Sequence, residues 1–589
     1  MPSLQSVQNA VPIMERFDPE EKRTGRLGSL LMIALMCILP FLQWKHYFPL
    51  TDFYTEWLAA LLGFLAISFN FSELRDVPAI ALIPLFMTGL VWLQYGLGMI
   101  DYVQNVSLVS LYLLWGSLMA VLGFTLKRQF GMEKVVLVLA FSLLIGGILN
   151  GVAAVVQHYR IPGFIDRFVT PDLSMAVYGN LAQQNHFSDY LCLSVASLLY
   201  LAAAKRIRVI VAMPIGLFLL FVLDLSGSRS AWLYLGAMTV LGLFLAKRSK
   251  VLLYGALLLI PAFFAVQFFS QLHFVSMHGT VTSGQRLISG ESGIRFYLWR
   301  EAWRMFLESP VLGVGFGDFA WHHFEYGPVF NDPGITGLYN NSHDLLMNLL
   351  AETGISGTLL VFGGIVFWAR RLNRSFDLKA WWLYSLLAVI AIHSLDEYPL
   401  WYAQFLGLFL FLLGSGETRT FSVPFTKALA GMVLVLGSYL LVGLMKDYRE
   451  LEGLLYPSYQ GGKPQLQPAV LFEKLNQFNK FTLLRPYVEY PLSSMLPINP
   501  VDLDEKIELS RRAVRFSPAG MTLYRDAALL ALAGKESEAK LEIDRASCAR
   551  PEDLLEAGKL YLSLAGRNST QFLPLVVEVG NRLKLREIH

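Results

Sequence analysis

The chain contains a series of apolar runs, each long enough to cross a lipid bilayer as a helix, and these runs limit its possible folds more than any other feature. A helix needs about 20 apolar residues to span roughly 30 Å of hydrocarbon. Spans are predicted at residues 28–44, 55–71, 77–99, 105–126, 135–157, 187–204, 207–224, 230–246, 251–270, 347–369, 380–395, 400–414 and 426–445. The prediction is an all-α polytopic membrane protein with about thirteen transmembrane helices.

Composition supports this class, since 54% of the 589 residues are hydrophobic and only 16% are charged. Charged residues make up about 25% of a typical soluble domain, so an ordinary soluble globule is excluded. The net charge of +3 gives no indication of nucleic-acid binding, because the basic residues form short clusters between apolar runs. Two of the three cysteines lie inside apolar runs, and we expect neither a disulfide nor a structural metal.

Lysine and arginine collect in alternate loops, which predicts the orientation of the spans. The basic loops lie at residues 127–134, 205–208, 247–250 and 370–379. These loops and residues 1–26 are predicted to be cytoplasmic, and residues 446–589 then lie on the opposite side of a transmembrane part at 27–445. The first apolar run has no small-residue cleavage site after it, so we interpret it as a retained helix.

The loops on the opposite side hold nearly all the unusual polar groups of the chain. His343 lies just before an apolar run. Because histidine exchanges a proton near neutral pH, His343 is a candidate general base. The plainer interpretation is that it caps the helix or contacts lipid headgroups. Arg229 lies in a very short external turn, against the inside-positive trend, which favours a ligand-binding role. Gln183 and Asn185 precede a span, where helix capping and ligand binding are both open.

The outer loop at residues 271–342 is too long for a plain connector. Its large apolar residues at 291–303 have helical spacing with interleaved charge, which predicts a short helix on the membrane surface. Residues 310–317 are rich in glycine and indicate a tight turn more strongly than a phosphate site. Arg286 and Arg295 either extend to lipid headgroups or, together with Arg229, grip a diphosphate.

Five ordered motifs carry a family resemblance. SGSRS at 226–230, GIRFYLWREAWRMFLESPVLGVGFGDF at 293–319 and NNSHDLLMNLLAETGISG at 340–357 resemble the O-antigen ligase (Wzy_C) superfamily. YGNLAQQNHFSDYL at 178–191 and HSLDEYPLWYAQF at 393–405 most resemble the PglL/PilO-type bacterial protein O-oligosaccharyltransferases, which glycosylate pilin. The resemblance covers roughly residues 20 to 445.

The resemblance implies a metal-independent glycosyltransferase that moves a whole oligosaccharide from undecaprenyl diphosphate to an acceptor hydroxyl, on the periplasmic side of the bacterial inner membrane. It aligns His343 with the family's essential loop histidine, Arg229 with the arginine of the SGSR turn, and Arg295 with the arginine before the loop tryptophan. Gln183 matches the glutamine of a QxN motif. The tyrosine of the EYPLWY segment is Tyr398 or Tyr402, and we favour Tyr402.

The physical chemistry of such a substrate agrees with these residues. A polyprenyl diphosphate requires apolar walls for its tail and cations for its head. In our hypothesis, His343 takes the proton of the acceptor hydroxyl. The diphosphate is bound by Arg229, Arg295 and Arg286. The groups that position the substrate are Gln183, Asn185, Tyr402 and Glu397. Asp396 and Glu397 are expected to orient His343, His393 or an arginine. We expect no cofactor and no metal, because arginines can carry the charge and no dense carboxylate cluster is present.

Two alternatives remain open. A ligase with a lipid A-core acceptor, or a glycan polymerase of the same superfamily, would share every residue named above. A transporter or flippase for lipid-linked glycans would place its functional charges at the membrane midplane in matching halves. The polar groups here lie at one face and no repeat of halves is visible, which counts against transport.

After Lys446 the composition changes to a soluble pattern. A Gly/Pro-rich linker is predicted at 457–468, and a second Pro-rich stretch runs from 486 to 500. Amphipathic helices are predicted at residues 507–516, 521–533, 536–546, 554–564 and 572–583, with a weak tetratricopeptide-like pattern. We expect a small periplasmic helical domain that either docks the acceptor protein or acts as a lid or stabilising appendage.

Overall fold

The computed structural model describes residues 19–171, 177–245, 249–270, 293–330, 337–371, 377–422, 426–456 and 466–587. Fifteen helices occupy the predicted transmembrane part: α1 (Pro19–Met36), α2 (Phe53–Phe69), α3 (Leu82–Gly96), α4 (Val103–Tyr159), α5 (Gln184–Ala203), α6 (Val209–Leu225), α7 (Ser230–Leu245), α8 (Lys250–Ser270), α9 (Gly293–Glu308), α10 (Phe319–Phe330), α11 (Leu345–Thr358), α12 (Gly364–Ala369), α13 (Leu378–Ser394), α14 (Ala403–Gly416) and α15 (Thr426–Leu455). Seven follow: α16 (Pro468–Phe478), α17 (Arg485–Met495), α18 (Leu503–Phe516), α19 (Met521–Leu532), α20 (Glu536–Ala549), α21 (Leu554–Ala565) and α22 (Ser569–Glu587).

Seven helices of the described chain are long and apolar enough to cross a membrane, and five shorter apolar helices accompany them. The architecture is therefore that of an α-helical, multi-pass membrane protein. Helix α4 has 57 residues and is interrupted at Gly131, whose φ of 76° is not helical. This break lies between the spans predicted at 105–126 and 135–157. The total of thirteen spans remains a prediction.

Within the described ranges, two short segments depart from a purely helical fold. Asp76–Pro78 (β1) pairs antiparallel with Thr420–Ser422 (β2). The segments are only three residues long, which is too short for an alternating pattern to be visible in the sequence. This pair joins two loops that are far apart along the chain.

The span predicted at 347–369 is not one straight helix. Gly354 has a φ of 60°, and a π-helical turn at Leu359–Gly363 separates α11 from α12. A Cβ at Gly354 would lie 2.5 Å from the Val311 carbonyl carbon, so only glycine allows this approach. The glycine-rich segment before α10 is thus a tight turn, as expected, but it packs on the backbone of α11, where Val314 N donates to Ala351 O at 2.9 Å.

The helices after residue 466 supply most of a second hydrophobic core, in which Leu523, Tyr524, Ile543, Tyr561 and Leu575 are fully buried. All five predicted amphipathic helices are present in α18 to α22. The Pro-rich stretch at 486–500 contributes most of α17 (residues 485–495), a helix that was not predicted. Its first proline, Pro486, lies in the first turn, where a missing N–H costs nothing. A tetratricopeptide-like arrangement remains a prediction.

Two buried carboxyl groups in this core predict how its stability depends on pH. Burial raises the pKa of Glu542 to about 8 and the pKa of Asp526 to about 6. One oxygen of each has no hydrogen-bond partner among the described residues. The folded chain therefore retains protons that the unfolded chain has released, and stability should fall as pH rises from about 5 to about 8.

We expect Glu542→Gln to raise the melting temperature by a few degrees at pH 8 and by less at pH 5, measured by thermal unfolding of the purified protein. Glu536→Gln is the matched control, because Glu536 is exposed and pairs with Lys540 on the same helix. An equal effect of Glu542→Gln at both pH values would contradict the prediction.

Candidate functional site

The conformation of residues 341–344 places His343 directly before α11. Asp344 caps this helix by accepting from Met347 N at 2.9 Å, and His343 N donates to the Asn341 side chain at 3.0 Å. His343 itself has a φ of 53°, a left-handed conformation that histidine adopts more readily than branched residues do. This turn directs the imidazole away from the helix and toward the segment that follows α13.

The imidazole of His343 meets the carboxylate of Glu397. Nδ1 of His343 lies 2.7 Å from Glu397 Oε2, and the His343 side chain retains 23% of its surface, compared with 8% for Glu397. A carboxylate accepts only from a protonated nitrogen, so this contact assigns the proton of neutral His343 to Nδ1 and leaves Nε2 as the acceptor. The carboxylate thus fixes the orientation of the imidazole through Nδ1.

Glu397 connects three chain segments that are distant in sequence. Its Oε1 accepts from Arg295 Nη2 at 3.2 Å and from Asn185 Nδ2 at 2.9 Å, while Oε2 faces His343. Burial alone would raise the pKa of Glu397, but the hydrogen bond and charge of His343 and the charge of Arg295 outweigh it, so the pKa of this carboxyl lies below its ordinary value. Glu397 is therefore a buried anion whose negative charge is fixed by its neighbours.

Arg295, on the first turn of α9, is held by two acidic side chains. Besides Glu397 it forms an ion pair with Asp396, which also accepts a hydrogen bond from Ser230. Two nitrogen atoms of the guanidinium thus already contact carboxylates. Arg295 therefore lies beside Glu397, and the two carboxylates balance its positive charge.

Arg229 differs from Arg295 in this respect. The residues on either side of it are engaged: Ser228 Oγ donates to Asn185 Oδ1 at 2.7 Å, and Ser230 donates to Asp396. Arg229 is partly exposed, and no ion pair to it is found within the described ranges. The SGSRS turn is therefore anchored on the Glu397 cluster by two serines, with the arginine between them available for an anion.

The remaining predicted residues lie at different distances from this centre. Gln183 caps α5 by accepting from His186 N at 2.6 Å, as the capping interpretation predicts. Tyr402 packs on the His186 ring at 4.5 Å, whereas the Tyr398 ring is the one beside His343, at 5.4 Å. The two tyrosine rings stack at 5.9 Å. Arg286 lies outside the described residues.

A buried contact between a histidine and a carboxyl group beneath the site was not predicted. His393 Nδ1 lies 2.6 Å from Asp189 Oδ2, and both side chains are fully buried. Asn185 and Asp189 are four residues apart on α5, and His393 and Glu397 are four residues apart across the end of α13. The Asp189–His393 contact is thus a second rung, one helical turn below the Asn185–Glu397 contact. The repeated spacing of four was the available signal in the sequence.

This second rung should hold Glu397 in place. For the glycan transfer that the family resemblance implies, we expect His393→Asn and Asp189→Asn each to lower the rate about tenfold or more, because a buried partner left alone costs several kcal/mol and shifts the segment that bears Glu397. Transfer by the purified variants would be measured at the temperature where each retains its fold. The control is Ser270→Ala, which removes a different buried contact, to Asp224. Unchanged transfer by both rung variants would contradict this role.

Comparisons with known proteins agree with the motifs. The family described as O-Antigen ligase (Wzy_C) matches residues 214–362, a range that includes Arg229, Arg295 and His343. The family described as virulence factor membrane-bound polymerase, C-terminal (Wzy_C_2) matches residues 381–560, which include Glu397. The second match continues from the membrane part into the C-terminal helices.

Two proteins of Acinetobacter baylyi (strain ATCC 33305 / BD413 / ADP1) are similar to this chain. A general O-oligosaccharyltransferase is 26% identical over 439 residues, which is 71% of this chain and 74% of the relative. A ComP-specific O-oligosaccharyltransferase is 23% identical over 377 residues, which is 62% of this chain and 66% of the relative. The resemblance that the motifs predict is confirmed.

Proposed function

Since the chain carries an O-antigen ligase domain and resembles O-oligosaccharyltransferases, we propose that it transfers an oligosaccharide en bloc from undecaprenyl diphosphate to serine or threonine hydroxyls of periplasmic proteins such as pilin. The observation that supports this most is the cluster around Glu397. It brings together His343, the charge-balanced Arg295 and the turn that carries Arg229, three distant segments of the chain, and no ion pair to Arg229 is found among the described residues. These are the groups that glycosyl transfer from a diphosphate requires.

The proposed reaction is a single displacement. The acceptor hydroxyl oxygen attacks the anomeric carbon, its proton moves to Nε2 of His343, and the bond from the anomeric carbon to the phosphate oxygen breaks with its electron pair leaving on the diphosphate. Glu397 stabilises the imidazolium that forms and fixes its orientation. General base catalysis of this kind contributes roughly 10² to 10⁴-fold.

The two arginines have different tasks in this proposal. Arg229 binds the diphosphate, because its guanidinium has no carboxylate partner in the described part of the chain and offers a bidentate fork. Arg295 mainly orients Glu397 and Asp396, since two of its nitrogens already contact them. We keep Arg286 as a further diphosphate ligand, and Gln183, Asn185 and Tyr402 as groups that position sugar or acceptor.

The names of the two relatives, which describe O-linked oligosaccharide transfer, support a hydroxyl group as the acceptor. A ligase acting on lipid A-core, or a glycan polymerase, is the second candidate, because the two matching families are described as a ligase and a polymerase. Transport is not favoured, since His343, Glu397 and Arg229 lie in loops at helix ends. We place the enzyme in the bacterial inner membrane, with the site on the periplasmic side.

His343 is the first residue to test. We expect His343→Asn to reduce transfer at least 100-fold, since asparagine tolerates the same left-handed backbone but cannot take the proton. Glu397→Gln should reduce transfer less, by about tenfold, because an amide can still orient the ring. Release of labelled glycan from the carrier onto a serine-bearing acceptor protein is the measurement.

The control for these variants is His322→Gln, which removes another histidine of the outer loop that contacts a carboxylate, Glu325, at 3.3 Å. Retained transfer by His343→Asn, with normal membrane insertion, would remove the base from the proposal. Altered lipopolysaccharide with unchanged protein glycosylation in a deletion strain would favour the ligase.

Arg229 is expected to act through donor binding. Arg229→Ala should raise the KM for the diphosphate-linked donor about tenfold or more, and Arg229→Lys should recover only part of the loss, because lysine lacks the planar fork. Arg206→Ala is the matched control, since Arg206 is also partly exposed but pairs with Glu133 in a loop predicted to be cytoplasmic. An unchanged KM in Arg229→Ala would argue against this assignment.

A further inference from the structure

The outer loop of the membrane part shares a hydrophobic core with the C-terminal helical region, residues 466–587. Phe324 of α10 is 1% exposed and belongs to the same buried cluster as Leu523, Ala527 and Ile543. Trp321 and Leu338 pack against that cluster as well. Removing the C-terminal region would therefore expose an apolar face of α10 in addition to its own interior.

Arg515, near the end of α18, fixes this contact by ionic hydrogen bonds. It donates through Nε to Asp318 Oδ2 at 3.0 Å, through Nη1 to Asp101 Oδ1 at 3.0 Å and through Nη2 to Met99 O at 2.8 Å. Its side chain is 26% exposed. One guanidinium thus joins the residue before α10 to the loop between α3 and α4.

A second tie holds the same α3–α4 loop. Tyr102 OH donates to Glu489 Oε2 at 2.7 Å, and Glu489, which is fully buried, is also bound by Arg512 and Arg485. Burial alone would raise the pKa of Glu489, but the hydrogen bonds from Arg512, Tyr102 and Arg485 lower it overall. The C-terminal region therefore contacts the α3–α4 loop at two neighbouring points, Met99–Asp101 and Tyr102, through charge-assisted hydrogen bonds.

A series of backbone hydrogen bonds connects Asp318 to α11, the helix that follows His343. Asp318 N donates to Gly315 O at 3.2 Å, Gly315 N donates to Glu352 O at 3.2 Å, and Val314 N donates to Ala351 O at 2.9 Å. The carbonyls of Glu352 and Ala351 lie on α11, the helix that begins two residues after His343. The glycine-rich turn thus links the residue that Arg515 holds to the helix that carries the proposed base.

The same packing includes the helix that carries Arg295. Leu298 and Ala302 of α9 are fully buried in one cluster with Phe319 of α10 and Ala351 of α11. Helices α9, α10 and α11 accordingly form one packed unit. Arg295 lies in the first turn of α9, and His343 directly precedes the cap of α11. A displacement of the packed unit would therefore move both residues relative to Glu397.

We infer that the C-terminal helical region is part of the scaffold of the catalytic centre, and that Arg515 is a positioning residue that acts on His343 and Arg295 through Asp318 and the glycine-rich turn. The inference rests on the proposed function and assigns a role to a region with no contact to the reacting groups. The match of one family across residues 381–560, from Glu397 through Arg515, agrees with a joint role.

The test measures kcat and the KM for the acceptor protein separately, with the full chain purified in lipid. Arg515→Ala should lower kcat roughly 10- to 100-fold, because misplacing a catalytic group by about 1 Å has that effect. The acceptor KM should stay within about twofold. Arg515→Lys should recover part of kcat, and reversing the pair with Arg515→Asp and Asp318→Arg should recover more activity than either single variant.

Arg511→Ala is the matched control, because Arg511 lies on the same helix and pairs with exposed Glu538 instead. A raised acceptor KM with unchanged kcat in Arg515→Ala would overturn the inference and identify an acceptor-docking surface. Unchanged values of both constants would overturn it as well. These results are separate from the fate of the proposed function, which is tested by protein glycosylation in a deletion strain and by His343→Asn.

Discussion

The carboxylate of Glu397 is the interaction on which the site depends. It accepts hydrogen bonds from His343, Arg295 and Asn185, and its own segment contributes Asp396, which holds Arg295 and Ser230. Each partner comes from a different part of the chain. An ionised, nearly buried carboxylate is costly unless it is fully bonded, so the correct assembly of these segments is strongly favoured over alternatives in which one of them is displaced.

Much of the architecture could be predicted because it follows from local pattern. Apolar runs of span length and basic loops need no tertiary information, and the five amphipathic helices after residue 500 follow from their periodicity. The break at Gly354 could not be predicted, because it exists to admit Val311 from a turn more than forty residues earlier. Helix α17 was missed because prolines in a first turn resemble a linker.

The candidate site shows the same division. The motifs named residues that the structure brings together around Glu397. Spacing alone left that carboxylate with three possible partners, and only the packing of the loop after α13 against α5 and α11 selects among them. The choice between Tyr398 and Tyr402 depends on a short 3-10 turn at Pro399–Trp401 that directs the first ring to His343 and the second to His186. The Asp189–His393 rung lies inside apolar runs, where single polar residues are easily taken for helix-to-helix hydrogen bonding.

The charges gathered around Glu397 have a consequence for turnover under the proposed function. Asp396 and Glu397 offset Arg295 and Arg229, so the cluster is close to neutral before a diphosphate arrives. The imidazolium created during transfer supplies one extra positive charge at the moment when negative charge builds up on the departing phosphate. Once that proton is lost to water, the diphosphate lies near the carboxylates of Asp396 and Glu397 with one fewer positive charge beside it. Under the proposed function, loss of the proton is therefore expected to weaken binding of the spent carrier and to favour its release.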